Sequence, residues 1–130
     1  MSTRAQVRFA TREEGQSFSE HPDKIHAQFY VHGDGYPEGL GLDVAMSVLK
    51  NDPINGWEIE HIQTIHGDLE YIYYVWSDYD KETFISIFKT NTFSDEDENC
   101  IFVGAPEKLI TTYGSQLEES YYKLNTNYDR

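Results

Sequence analysis

The chain has 130 residues, a formal net charge of −13 at pH 7 and a pI near 4.6. This acidity argues against binding nucleic acid through its phosphates, which needs clustered Lys and Arg. The single cysteine, Cys100, excludes an intrachain disulfide and a zinc site of several thiolates. No apolar run approaches the roughly 20 residues that cross a bilayer, and the polar N-terminus is not a signal peptide. We expect one domain, residues 1–130, in the cytoplasm and without a membrane partner.

Six strands are predicted from β-branched, aromatic or alternating patterns. They lie at residues 4–12, 25–31, 57–65, 69–76, 83–89 and 100–103. The second is the clearest, because apolar residues alternate with polar or aromatic ones along its whole length. The third is ambiguous. The spacing of Ile59, Ile62 and Ile65 fits a helix, whereas the β-branched content favours a strand.

A helix is predicted after Gly39, where apolar residues recur at helical spacing. Its predicted apolar stripe is Leu42, Ala45, Met46 and Leu49. The wide apolar arc indicates a largely buried helix, which we expect to end at Pro53 because proline cannot continue a helix.

Two short helices are predicted near the C-terminal end. Pro106 suits a first helical position, and the helix that it opens runs to about residue 113. Ser115 and Glu118 form a capping box for the second helix. Polar loops are predicted at residues 13–24 and 91–99. The fold class is therefore α+β: a mostly antiparallel meander of five to six strands, with one buried helix after strand 2 and one or two C-terminal helices.

The most unusual stretch of the chain lies between Tyr30 and Gly41. It contains four of the nine glycines, together with a histidine and an aspartate. Pro37 fixes its own φ angle and pushes Tyr36 toward an extended conformation. A strand enters the stretch and a helix leaves it, so we interpret it as a strand-to-helix loop, a place where function is often carried.

The motif Tyr30-x-His32-x-Asp34-Gly-Tyr-Pro37-x-Gly39 resembles the Y-x-H-x-D-G-Y-P-x-G signature of small proteins found in bacteriophages and prophages. Weaker similarity extends to residues 67–73 and 101–104, so that the resemblance covers roughly residues 25–110. It implies an origin in a phage or mobile element, a location in the host cytoplasm, and no particular reaction. The family often has a bulky residue between the histidine and the aspartate, where this chain has Gly33.

Histidine and aspartate together allow a site for a divalent metal or another ligand. His-Gly-Asp occurs twice, at residues 32–34 and 66–68. Imidazoles and carboxylates bind zinc, manganese or iron, and a histidine beside an aspartate can serve as a general base. The candidate metal ligands are His26, His32, Asp34, His66 and Asp68. The candidate ligand-binding residues of the loop are His32, Asp34, Tyr36, Tyr30 and Glu38.

Other chemical motifs fail on their spacing. Residues 95–99 begin like a calcium loop, but Cys100 and Pro106 replace the required glycine and glutamate. The glycines of the loop match neither a P-loop nor a dinucleotide-binding fingerprint. Cys100 follows an acidic segment, which raises rather than lowers a thiol pKa. No catalytic residue is predicted.

A structural interpretation accounts for the loop without a ligand. Asp34 can accept backbone N–H groups two residues on, and Pro37 can lock the turn. A ligand site there would need a second polar group, for which the turn at His66 is the candidate. We therefore favour a non-enzymatic accessory protein of phage type that acts through protein–protein contacts, either with another protein or with itself. The alternative is a small metal- or ligand-binding module, or a metal-dependent enzyme, at the loop of His32, Asp34 and Tyr36.

The ten tyrosines and the net acidity bear on the partner. Tyrosine is favoured at protein interfaces for its large amphipathic surface. An acidic surface can imitate nucleic acid and occupy a basic partner, or it can simply keep a small domain soluble. We favour solubility over mimicry.

Overall fold

Six strands, two α-helices and one turn of π-helix make up the computed structural model, which describes residues 3–11, 24–50, 57–77, 82–90 and 99–114. The strands are β1 (Ala5–Thr11), β2 (Lys24–Val31), β3 (Glu58–Glu60), β4 (Tyr71–Ser77), β5 (Thr83–Lys89) and β6 (Asn99–Gly104). The helical elements are the π-helical turn (Pro37–Gly41), α1 (Leu42–Lys50) and α2 (Pro106–Tyr113). None of the described helices is both long enough and apolar enough to cross a bilayer.

The strands form one mostly antiparallel sheet in the order β3-β2-β1-β4-β5-β6. The α+β architecture with a mostly antiparallel sheet is thus confirmed, but the strand order differs from that of the predicted meander. β1 and β4 pair in parallel at the centre of the sheet, from Ala5 opposite Tyr71 to Thr11 opposite Ser77. The physical reason is that β2 covers only one edge of β1, and the N–H and C=O groups of its other edge need a partner. β4 supplies that partner because it is apolar on both faces and suits a central position.

The helices pack on one face of the sheet, which we call the first face. The fully buried side chains of this core are Ala5, Val7, Val44, Ala45, Tyr73, Ile85, Ile87 and Leu109. α1 contributes to this core through the buried side chains of its first half, Leu42, Val44 and Ala45. Its predicted stripe is buried at Leu42 and Ala45, but Leu49, near its end, is 45% exposed.

The start of the helical region also differs from the prediction. Helical structure begins at Pro37, before Gly39, as a π-helical turn, and α1 starts only at Leu42. The cause is local: Pro37 has a φ angle preset for a helical start, while the N–H of Gly41 reaches back to the carbonyl of Tyr36 over 3.5 Å.

The second face of the sheet combines an aromatic cluster with buried polar groups. Ile72, Tyr74, Trp76 and Phe88 are buried together there. The polar side chains of Gln6, Gln28 and Ser86 are buried on this face as well. The indole N–H of Trp76 donates to Ser86 at 2.9 Å, which satisfies one buried polar pair.

The ambiguous third strand is resolved within the described residues. Only Glu58–Glu60 pair with β2, and a turn follows in which the N–H of Thr64 donates to the carbonyl of His61 at 2.9 Å.

Several predictions lie outside the described residues. These are the loops at residues 13–24 and 91–99 apart from their end residues, the calcium-like stretch at residues 95–98, the helix end at Pro53, and the capping box of Ser115 and Glu118.

Candidate functional site

The glycine-rich loop after β2 is held by its own backbone. Asp34 adopts a left-handed conformation with φ 57°, and its carbonyl accepts the N–H of Leu40 at 2.9 Å. The N–H of Gly39 donates to the carbonyl of Tyr36, also at 2.9 Å. These bonds turn the chain from the end of β2 into the π-helical turn.

Gly35 fixes the loop to the sheet through close contacts. Its N–H donates to the carbonyl of Thr3 at 2.9 Å, and its carbonyl accepts the buried hydroxyl of Tyr73 at 2.6 Å. A Cβ atom at Gly35 would lie 2.8 Å from the Cβ of Ala5 and 2.9 Å from the carbonyl oxygen of Thr3. Glycine is therefore required here by the approach of two backbones.

Asp34 and Tyr36, two of the five predicted ligand-binding residues, are exposed and contact each other. The hydroxyl of Tyr36 donates to the carboxylate of Asp34 at 3.1 Å. This hydrogen bond, followed by the charge of Asp34, raises the pKa of Tyr36. Within the described residues, the pair shares no hydrogen bond or ring contact with Tyr30 or His32. Glu38 is half-buried in the π-helical turn, so the five residues do not line one site.

Tyr30 brings the two His-Gly-Asp turns together on the second face. The ring of His66 stacks on the ring of Tyr30 with centroids 4.0 Å apart. His32 meets the same ring edge-on at 4.6 Å. The hydroxyl of Tyr30 donates to Asp68 at 3.3 Å, and Arg4 lies 3.3 Å from the same carboxylate oxygen. Burial, followed by the negative charge of Asp68, raises the pKa of Tyr30.

Each of these histidines is paired with a glutamate of β3. His32 Nε2 lies 3.0 Å from Glu58 at the surface, and His66 Nε2 lies 2.7 Å from Glu60 in a more buried position. Sequence reasoning missed both glutamates. The signal was available in their alternation around Ile59, which places both carboxylates on one face of a strand. It could be used only once β3 was known to pair with β2.

Each of the five predicted metal ligands is in contact with another polar side chain. His26 contacts the hydroxyl of Thr11 at 2.9 Å, while Asp34 accepts from Tyr36 and Asp68 accepts from Tyr30. The remaining two, His32 and His66, pair with Glu58 and Glu60. Among the residues that the structure describes, no three His, Cys, Asp or Glu side chains are placed to hold a metal ion together.

Glu60 is the centre of a buried polar network that holds β3 in place. The side-chain amides of Gln6 and Gln28 each donate to Glu60 Oε2 at 2.8 Å. Gln6 in turn accepts two hydrogen bonds from the guanidinium of Arg8, at 3.1 and 2.8 Å. Gln6 is 0% and Gln28 1% exposed, so burial without such partners would be costly.

The same two glutamines also tether the turn that follows β3. Their amide nitrogens lie 3.3 and 3.2 Å from the carbonyl oxygen of Thr64. Gln28 additionally reaches the carbonyl of His61 at 3.3 Å. The chain from β3 to His66 is therefore fastened to β1 and β2 by side chains as well as by its strand pairing.

Three isoleucines are exposed on this fastened stretch, which we call the isoleucine segment and define as residues 59–65. Ile59 is 75%, Ile62 44% and Ile65 80% exposed. Strand alternation places Ile59 on the first face, opposite Phe29, where the ring of Trp57 also packs on Phe29. An exposed apolar stretch that is held rigid is suited to contact a partner.

Comparison with protein-family models, with curated proteins and with solved structures finds no match. The resemblance to phage and prophage proteins thus stays a prediction from the motif alone.

Proposed function

We propose that the chain is a non-enzymatic accessory protein that acts through a protein–protein contact, and that the isoleucine segment is its docking surface for a basic protein. The observation that carries the proposal is the exposure of Ile59, Ile62 and Ile65 within seven residues of chain. Large exposed apolar side chains grouped in this way are characteristic of interaction sites. Burying a whole isoleucine side chain contributes about 1.5–3 kcal/mol.

The charge of the molecule supports a basic partner over a second copy. The net charge is −13, and Glu58, immediately before the isoleucine segment, has a side chain that is 64% exposed. A basic protein is attracted to this surface and its association is accelerated, whereas a second copy carries the same charges and is repelled.

The rigidity of the segment supports the proposal independently of its charge. Gln6 and Gln28 hold the carbonyl of Thr64, and Glu60 is held by both of them. A surface that is already ordered loses less conformational entropy when it binds. The ligand-site alternative has weaker support, because its predicted residues lie in two places. His32 contacts Tyr30, whereas Asp34 and Tyr36 contact each other.

An array of immobilised peptides that varies net charge and aliphatic content independently tests the proposal. We expect the labelled protein to bind peptides that are both basic and aliphatic. The double variant Ile62→Ser/Ile65→Ser should bind them at least about tenfold more weakly. Leu49→Ser is the control, because Leu49 is 45% exposed, close to the 44% of Ile62, but lies on α1.

Two outcomes contradict the proposal. One is an equal loss of binding in the double variant and in Leu49→Ser, since the isoleucine segment would then have no special part. The other is a dimer in sedimentation that dissociates in the double variant, since a second copy would then occupy the surface.

A further inference from the structure

The position of β3 in the sheet indicates how a partner can bind. β3 is the terminal strand of the sheet in the described part of the chain, and it pairs with β2 alone, from Gln28 opposite Glu60 to Tyr30 opposite Glu58. A strand at the edge of a sheet offers its outer backbone groups to an added strand. Ile59 lies at the middle of this edge and is 75% exposed.

β3 is short, yet side chains hold it firmly. A strand of three residues has few backbone hydrogen bonds of its own. Glu60 compensates, since it accepts from Gln6 and Gln28 and pairs with His66 at 2.7 Å. Its carboxylate is turned inward, with the side chain 12% exposed. The edge is therefore a fixed template.

Charge selects the strand that fits this template. A second copy paired antiparallel about Ile59 would place Glu58 opposite Glu60 of that copy, and like charges directly opposite each other destabilise a strand pair. A strand with Lys or Arg beside Glu58 and an aliphatic residue beside Ile59 is complementary on both faces. Glu58 is already in contact with His32 at 3.0 Å, which positions its carboxylate.

We propose that the partner binds as an extended basic segment that adds a strand to β3, with a Lys or Arg side chain at Glu58 and an aliphatic side chain at Ile59. This inference rests on the proposed function and specifies the partner's conformation and chemistry. Backbone hydrogen bonds to the edge supply affinity, and the alternating side chains supply selectivity.

A synthetic peptide of alternating lysine and valine is the probe, and its backbone is the variable. In an extended strand, the N–H groups of valine point to one edge and those of lysine to the other. One peptide is N-methylated at every valine and a second at every lysine. We expect one of the two to bind at least about tenfold more weakly than the other, because only one edge faces β3.

A charge exchange tests the side-chain part of the proposal. Glu58→Lys should weaken binding of the lysine–valine peptide about tenfold and strengthen binding of a glutamate–valine peptide. Glu107→Lys is the matched control, because Glu107 is exposed on α2. It changes the net charge equally and should alter binding of both peptides only slightly.

The results separate the two proposals. If the two methylated peptides bind with the same affinity, whether that affinity is high or low, strand addition is overturned. The docking surface stands in that case, provided that binding of the parent peptide still depends on Ile62 and Ile65. If neither the parent peptide nor the basic aliphatic peptides of the array bind, the proposed function itself fails. Equal effects of Glu58→Lys and Glu107→Lys overturn the assigned role of Glu58.

Discussion

The imidazole of His66 stacks on the phenol ring of Tyr30, with 15° between the ring planes. His32 contacts the same ring, so the two His-Gly-Asp turns meet at one tyrosine of β2. Each histidine also pairs with a glutamate of β3. The shared role of the two turns is therefore to hold β3 and the segment after it against the end of β2. These contacts add to the hydrogen bonds from Gln6 and Gln28 that hold the isoleucine segment.

The buried glutamate of β3 should matter far more for stability than the exposed one. Glu60→Gln is expected to lower the free energy of unfolding by about 1–3 kcal/mol, because an amide cannot replace both acceptors facing Gln6, Gln28 and His66. Urea denaturation measures the change.

Glu58→Gln is the matched control for this variant. Glu58 lies two residues away on the same strand and also pairs with a histidine, but its side chain is 64% exposed. The expected loss is below about 1 kcal/mol, as for other exposed polar pairs. Equal losses in the two variants would contradict the assignment of Glu60 as the centre of the network.

Two glycines of the loop should respond to alanine in opposite directions. Gly35→Ala is expected to cost about 1–3 kcal/mol, because the new Cβ would lie 2.8 Å from the Cβ of Ala5. At Gly41 the nearest atom would be 3.5 Å away, on Tyr73, which is an ordinary contact. Gly41→Ala should therefore stabilise the protein by about 0.5–1 kcal/mol, since alanine favours helical backbone. Thermal unfolding of both variants measures the two changes in stability. A Gly35→Ala protein as stable as the parent would argue against the close backbone approach.

The left-handed backbone of Asp34 makes a separate prediction. Asp34→Ala keeps φ near 57° and loses the acceptor for Tyr36, whereas Asp34→Gly relieves the steric cost of the left-handed conformation. We expect the glycine variant to be about 1 kcal/mol more stable than the alanine variant in chemical denaturation. The opposite order would mean that the loop does not keep this conformation in solution.

Much of the strand content follows from local pattern, because alternation and β-branched residues act over a few neighbours. β2 is an example, since its apolar and polar residues alternate over the whole strand. The parallel pairing of β1 with β4 could not be predicted in this way. The two-sided apolar pattern of β4 suits a central strand, but its neighbour and its direction depend on where the chain re-enters the sheet after β3.

The site shows the same division between local and distant causes. The strand-to-helix turn was predictable from Pro37 and the glycines. The Asp34 carboxylate was predicted to accept a backbone N–H, but it accepts the hydroxyl of Tyr36 instead. The turn is made by the backbone carbonyl of Asp34, which accepts the N–H of Leu40. The Glu60 network was not predictable, because its partner Gln6 lies 54 residues away in the chain. The turn at His66 was the predicted candidate for a neighbour of the loop, and its His66 ring lies on Tyr30 at the start of the loop.

Tyr73 should make stability decline in alkaline solution. Its side chain is fully buried and its hydroxyl donates to the carbonyl of Gly35 at 2.6 Å. Burial raises the pKa of Tyr73 well above its ordinary value of 10.0. Below pH 10 the residue is protonated in both states and contributes no pH dependence. Above it, the unfolded chain loses the proton and the folded chain keeps it, so stability falls by about 1.4 kcal/mol per pH unit.

Tyr73→Phe tests this because it removes the ionising group and keeps the ring. At neutral pH the variant should be less stable by about 1–2 kcal/mol, since the carbonyl of Gly35 loses its buried donor. Above pH 10 its stability should fall less steeply than that of the parent, so the two curves converge. Urea unfolding at a series of alkaline pH values measures both slopes. The pKa values of Tyr30 and Tyr36 are raised by groups other than Tyr73, so these two residues affect both proteins alike. Parallel curves would show that Tyr73 loses its proton as readily in the folded chain as in the unfolded one, which is incompatible with its burial against Gly35.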